Sequence, residues 1–140
     1  MLATIILNCL IITSAVLVHY ELLNRTSNLL VKYVSTSRFA IVIILLMSLC
    51  AHAIEVWLFA AGYYFMMQHG GFGNLTGAFD GSLLDCAYFS FTTYTSLGFG
   101  DIAPIGNLRF LAGLEALTGL VLITWTASFI FIEMQKHWNR

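Results

Sequence analysis

Apolar residues run almost unbroken through three stretches: from about Leu2 to His19, from about Phe39 to Met67, and from about Leu108 to Met134. A helix of about 20 residues crosses about 30 Å of hydrocarbon, so each stretch is long enough to span a bilayer or nearly so. The first contains no charge; the second is interrupted by His52 and Glu55; the third carries Arg109 and Glu115 near its start. A fourth apolar piece, from about Leu83 to Tyr94, is too short to span. Irregular backbone at membrane depth is tolerated only where protein or a water-filled cavity surrounds it. The pattern therefore predicts an all-α membrane protein with three transmembrane helices and a short re-entrant helix and loop between the second and third.

Composition supports that pattern. Of 140 residues, 59% are hydrophobic and 9% charged, and the mean hydropathy is +0.86. Soluble domains carry about 25% charged residues, so this chain has too little polar surface to cover itself in water. The net charge of −1, with no basic block, excludes nucleic acid as a partner. Cys9, Cys50 and Cys86 lie far apart in apolar context, without metal-ligand spacing, and are read as small buried hydrophobes.

Charge also sets direction. Arg25, Lys32 and Arg38 lie between the first two spans, and Lys136 and Arg140 follow the third. Excess Lys and Arg marks the cytoplasmic side, which puts the N-terminus outside and the C-terminus in the cytoplasm of a cell membrane. Asp80, Asp85 and Asp101 then face outward. MLATIILNCL has no basic leader, so the first stretch reads as a retained helix rather than a secretory signal. Residues 69–82, HGGFGNLTGAFDGS, read as an outer, turret-like loop.

Against this background FTTYTSLGFGDIAP (91–104) stands out. An ion leaves water only if oxygens replace its hydration shell, and consecutive backbone carbonyls can do so when they point at one axis. A regular strand alternates its carbonyls, so aligning them demands backbone conformations of alternating hand. The left-handed ones are cheap for glycine alone, and Gly98 and Gly100 occupy alternate positions. Ser96 adds a hydroxyl at the inner end, while Leu97 and Phe99 are expected to turn away and pack on the supporting helix.

TSLGFGD (95–101) resembles the selectivity filter of potassium channels. Ser96, Leu97, Gly98, Phe99 and Gly100 match its Thr, Val, Gly, Tyr and Gly in turn. The likeness extends to YFSFTTYTSLGFGDIAP (88–104) and to the following helix, FLAGLEALTGLVLITWTASFIFIEMQ. Over roughly residues 38–136 the chain is similar to small bacterial potassium-channel-like, pore-loop proteins with a two-pore-domain style GFG filter.

The resemblance implies an N-terminal helix and linker (1–37) and a pore domain (38–140) assembled as a homotetramer in the bilayer. It implies potassium held by Ser96, Leu97, Gly98 and Phe99 in a lining formed by Thr95 to Gly100, with Asp101 at the outer mouth. No cofactor and no covalent catalysis are implied; potassium is the permeant ligand. A nonselective cation channel and a non-conducting accessory subunit are the alternatives. Ser96 for Thr, Phe99 for Tyr, and Thr92 and Thr93 where some channels carry a carboxylate all point to a filter held by fewer hydrogen bonds.

Other polar residues in the spans are candidates for support. Glu115 is expected to brace the short helix, with pairing to Arg109 or protonation as alternatives. His52 and Glu55, three apart on one helix face, read as a mutual hydrogen bond, with proton sensing as the sharper reading. Gly119 suits a hinge and Gly113 close packing. Val121, Thr124 and Ser128 share one helix face, as a wet cavity would require.

Overall fold

The computed structural model describes residues 2–29 and 39–138. Lys32, Arg38 and Arg140, which carry part of the orientation argument, lie outside the described residues, as does the 37/38 domain boundary. In chain order the elements are α1 (Leu2–Leu29), α2 (Ala40–Gln68), β1 (Gly73–Gly77), α3 (Leu83–Tyr94), β2 (Ile102–Gly106) and α4 (Leu108–Trp138). α1, α2 and α4 are each long and apolar enough to cross a membrane. α1 continues beyond its predicted end near His19, helped by an i,i+4 pair between Arg25 and Glu21 at 2.6 Å.

The three long helices form one body. At one end the Asn107 amide donates to the Thr4 hydroxyl (3.4 Å); further along, Thr126 of α4 meets His19 of α1. Those two contacts make α1 and α4 run in the same direction. α2 runs against both, because its Gly62 faces Ile11 and Leu111 while Ala40 and Ile44 pack with Phe129 and Ile130. The described cations Arg25 and Lys136 therefore share the end opposite the β-strands.

Polarity is distributed inside out relative to a water-soluble domain. His19, Glu55 and Glu115 are wholly buried, while Leu10, Leu17, Leu46, Leu49, Leu117 and Phe131 are exposed. Polar groups face one another because hydrocarbon offers them no partner, and the apolar exterior is what lipid accepts. The chain is a membrane protein. Phe59, Tyr63 and Met66 of α2 meet Cys86 and Phe89 of α3, Leu111 of α4 and Ala15 of α1 in one apolar core.

α3 coincides with the predicted short helix. It starts at Ser82, whose hydroxyl accepts from the Asp85 amide at 3.1 Å, and the Asp85 carboxylate accepts from the Asp80 amide at 2.8 Å. Twelve residues rise only about 18 Å, too little to cross hydrocarbon.

Two expectations need correction. The all-helical reading omits a two-stranded antiparallel ribbon, and the segment read as a loop contains one of its strands. Gly73 pairs with Gly106 and Gly77 with Ile102. A side chain at Gly77 would run into the Asp101 carbonyl, and one at Gly73 into that of Ile105, so glycine here signals close backbone approach rather than a loose loop. The ribbon clamps the chain on leaving residue 101. The cysteines are also not uniformly buried: Cys86 is, but Cys9 and Cys50 are exposed on the apolar exterior, and all three are free thiols.

Candidate functional site

The site is assembled where α3 ends. Thr95 caps the helix, and Ser96 takes a left-handed conformation with φ of 56°. This is the usual stop of an α-helix, in which the amide of the left-handed residue returns to the last turn. The Ser96 amide donates to the Thr93 carbonyl (2.9 Å) and the Gly98 amide to that of Thr92 (3.0 Å). Thr92 and Thr93 thus hold the segment through backbone oxygens. Their expected role was stated for their side chains, yet the Thr92 hydroxyl bonds to Phe89 within the helix.

Beyond Ser96 the hand alternates. Gly98 has φ of 53° and Gly100 of 81°, while Leu97 and Phe99 have no positive φ. All of residues 95–100 are exposed in the single chain. Among the described residues, no hydrogen bond is made to the carbonyls of Thr95, Ser96, Leu97, Gly98, Phe99 or Gly100. Six successive peptide oxygens are left without partners in a segment flanked by apolar spans. Phe99 turns back and stacks on Tyr88 of α3, with ring centroids 6.5 Å apart and planes 8° from parallel; Leu97 stays exposed.

Asp101 accepts a hydrogen bond from the Tyr88 hydroxyl at 2.8 Å, and its carbonyl accepts from Ala78 at 2.9 Å. Tyr88 is a partner that sequence reasoning missed. An extended residue advances about 3.3 Å against about 1.5 Å for a helical one. A segment doubling back from residue 95 therefore passes Thr92 and Thr93 and reaches Tyr88.

Glu115 lies behind this segment. Its carboxylate accepts from the Tyr63 hydroxyl of α2 at 2.5 Å and from the Ser90 hydroxyl of α3, which also lies 2.9 Å from the Val56 carbonyl. One residue thus joins α2, α3 and α4. Arg109 makes no ion pair with it among the described residues.

The glycines of α4 divide their roles differently from expectation. A side-chain carbon at Gly119 would collide with the Tyr94 carbonyl, whereas one at Gly113 meets nothing within 4 Å. Close packing inside the chain therefore belongs to Gly119, which seats α4 against the last turn of α3. Gly119→Ala is expected to destabilise by about 1–3 kcal/mol through overpacking against backbone. Gly113→Ala should stabilise by up to about 1 kcal/mol through helix propensity. Thermal melts of the two variants in detergent check the ordering. Val121, Thr124 and Ser128 are exposed, and the Thr124 and Ser128 hydroxyls bond to carbonyls of their own helix.

His52 Nδ1 lies 3.1 Å from Glu55 Oε2, as the helix spacing predicts, but the pair belongs to a larger cluster. His19 Nδ1 stands 2.8 Å from Glu55 Oε1, and the Tyr94 hydroxyl donates to the same carboxylate. Thr126 Oγ1 faces both imidazoles, at 3.3 Å from His19 Nε2 and 3.1 Å from His52 Nε2. The available signal was a polar group within the apolar runs of α2 and α4 and at the ends of those of α1 and α3.

A family model described as an ion channel matches residues 5–136. No curated protein and no solved structure matches the chain. The match takes in all three spans, α3 and the glycine segment, and so covers the whole arrangement described above. The chain belongs to this ion channel family, a family of channels and not of enzymes.

Proposed function

We propose that the chain is a potassium-selective channel in which four copies surround one axis and residues 96–100 of each line it. The observation that carries this reading is the alternation of hand at Ser96, Gly98 and Gly100, together with six carbonyls that accept no hydrogen bond among the described residues. Rings of such carbonyls replace the hydration shell of a monovalent cation. One chain supplies one side of a pore, so closure needs cyclic symmetry.

In this reading α3 is a re-entrant pore helix. Its C-terminal carbonyls face a central cavity and favour cations there. Potassium is the permeant ion at Ser96, Leu97, Gly98 and Phe99, and Asp101 sits at the outer mouth. Val121, Thr124 and Ser128 line the cavity face of α4. The end carrying Arg25 and Lys136 is cytoplasmic, with the ribbon outside, the N-terminus outside and the C-terminus within a cell membrane. Conduction is passive.

Proteoliposomes test the proposal. Potassium flux that barium blocks, with no sodium flux, is the expected result. Equal sodium and potassium flux favours a nonselective cation pore, and no flux from verified tetramers favours an accessory subunit.

A further inference from the structure

The cluster of His19, His52 and Glu55 is not among the residues assigned above to the pore lining. We propose that it is a binding site for a divalent transition metal of the zinc class, with these three side chains as ligands and with Thr126 and Tyr94 supporting them. The three offer ligand atoms that all lie within 4.8 Å of one another. Both Nδ1 atoms point at the carboxylate, from 2.8 Å and 3.1 Å. Ligand atoms around tetrahedral zinc stand about 3.3 Å apart, so a metal would draw together three ligand atoms that already lie within 4.8 Å of one another.

The hydrogen count accommodates this occupant. A metal held on both Nδ1 atoms makes both Nε2 atoms N–H donors. The Thr126 hydroxyl oxygen has two lone pairs and lies within reach of both. With both imidazoles neutral and their protons on Nδ1, Thr126 has a single proton for two lone pairs, so the set is completed either by a metal or by one further proton. Ligating histidines commonly give their second N–H to a supporting acceptor, and Thr126 is that acceptor twice over. Tyr94 donates to the carboxylate, which fixes its rotation.

Chemistry narrows the metal. Two imidazoles and one carboxylate suit zinc and its neighbours. Calcium and magnesium require six or more oxygens, and the cluster offers one carboxylate. His19 and Glu55 are fully buried, and the His52 side chain is 18% exposed. The bound ion would fasten α1 to α2. Through Thr126 and Tyr94 it would also brace α4 and the turn that leads into residues 95–100.

Binding does not depend on whether residues 95–100 conduct, so the failure of either reading shows separately. The full chain is purified in detergent, stripped with a chelator, dialysed against zinc and weighed for bound metal; cobalt serves as a spectroscopic probe. One metal per chain is expected, with a tetrahedral cobalt absorption and a zinc-dependent rise in melting temperature. His19→Ala and Glu55→Gln should each weaken binding more than about 100-fold, and Thr126→Val about 10- to 100-fold. His52→Ala, at the partly exposed member, is the variant that keeps the fold, and its circular dichroism melt without zinc verifies that. His69→Ala and a Cys9/Cys50→Ser double variant should bind as the parent does. No retained metal overturns the site, as does zinc binding that survives His52→Ala unchanged; a cluster completed by a proton alone gives the first result.

Discussion

Gly98→Ala is expected to abolish discrimination between potassium and sodium in proteoliposomes while leaving the protein folded and inserted. Nothing lies within 4 Å of a side-chain carbon built at Gly98, so crowding inside the chain is not the reason. The reason is its φ of 53°. A left-handed L-residue costs roughly 1–2 kcal/mol, and in the proposed tetramer four copies would put roughly 4–8 kcal/mol on one ring. Relaxing to negative φ removes that cost, but it rotates the adjoining peptide planes and swings their carbonyls off the axis. Dehydrated potassium then loses part of its coordination shell. Ser96→Gly is the matched control. Ser96 already holds φ of 56° with a side chain, secured by its amide bond to the Thr93 carbonyl. Glycine there should keep the backbone and preserve selective flux. An unchanged potassium-to-sodium ratio in Gly98→Ala liposomes would remove the carbonyl-lined pore from consideration.

The elements that were legible in the sequence are those whose signal is local. α2 and α3 fall where the apolar runs and their polar boundaries put them, because length and composition alone decide whether a helix crosses or stops short. The alternation at Gly98 and Gly100 was legible for a similar reason: it depends on a property of glycine and on spacing. Which face of each helix meets which neighbour was not legible. Helices apolar on all sides carry no stripe that marks the inner face, and here polar and small residues are buried alongside large apolar ones. Hence His19 and Thr126 went unconnected to His52 and Glu55: only the latter two stood out as interruptions, and His19 marked the end of an apolar run. Close packing was placed at Gly113 rather than Gly119 for the same reason, since only Gly119 faces the Tyr94 carbonyl. The β-ribbon joins residues about thirty positions apart through glycine-rich strands, whose composition signals turns locally.

Glu115→Ala is expected to destabilise the chain by about 3–5 kcal/mol, measured by thermal melts in detergent, and to loosen α3 from α2. The carboxylate is fully buried and is the shared acceptor for the Tyr63 and Ser90 hydroxyls. Its two donors do not suffer equally when it is removed. Ser90 keeps the Val56 carbonyl at 2.9 Å as an alternative acceptor, but Tyr63 is completely buried and loses its hydrogen-bond partner. The loss therefore combines an orphaned phenol with the space left by the missing side chain. Glu115→Gln should recover most of it, because the amide oxygen fills the same volume and still accepts from Tyr63. Adding Tyr63→Phe to Glu115→Ala should also recover stability, because removing both partners of a buried bond is milder than removing one. Tyr63→Phe alone should fall between the parent and Glu115→Ala. Equal melts for Glu115→Ala and the parent, or a double variant whose losses simply add, would show that α2, α3 and α4 are held together by apolar packing and that Glu115 has a different task.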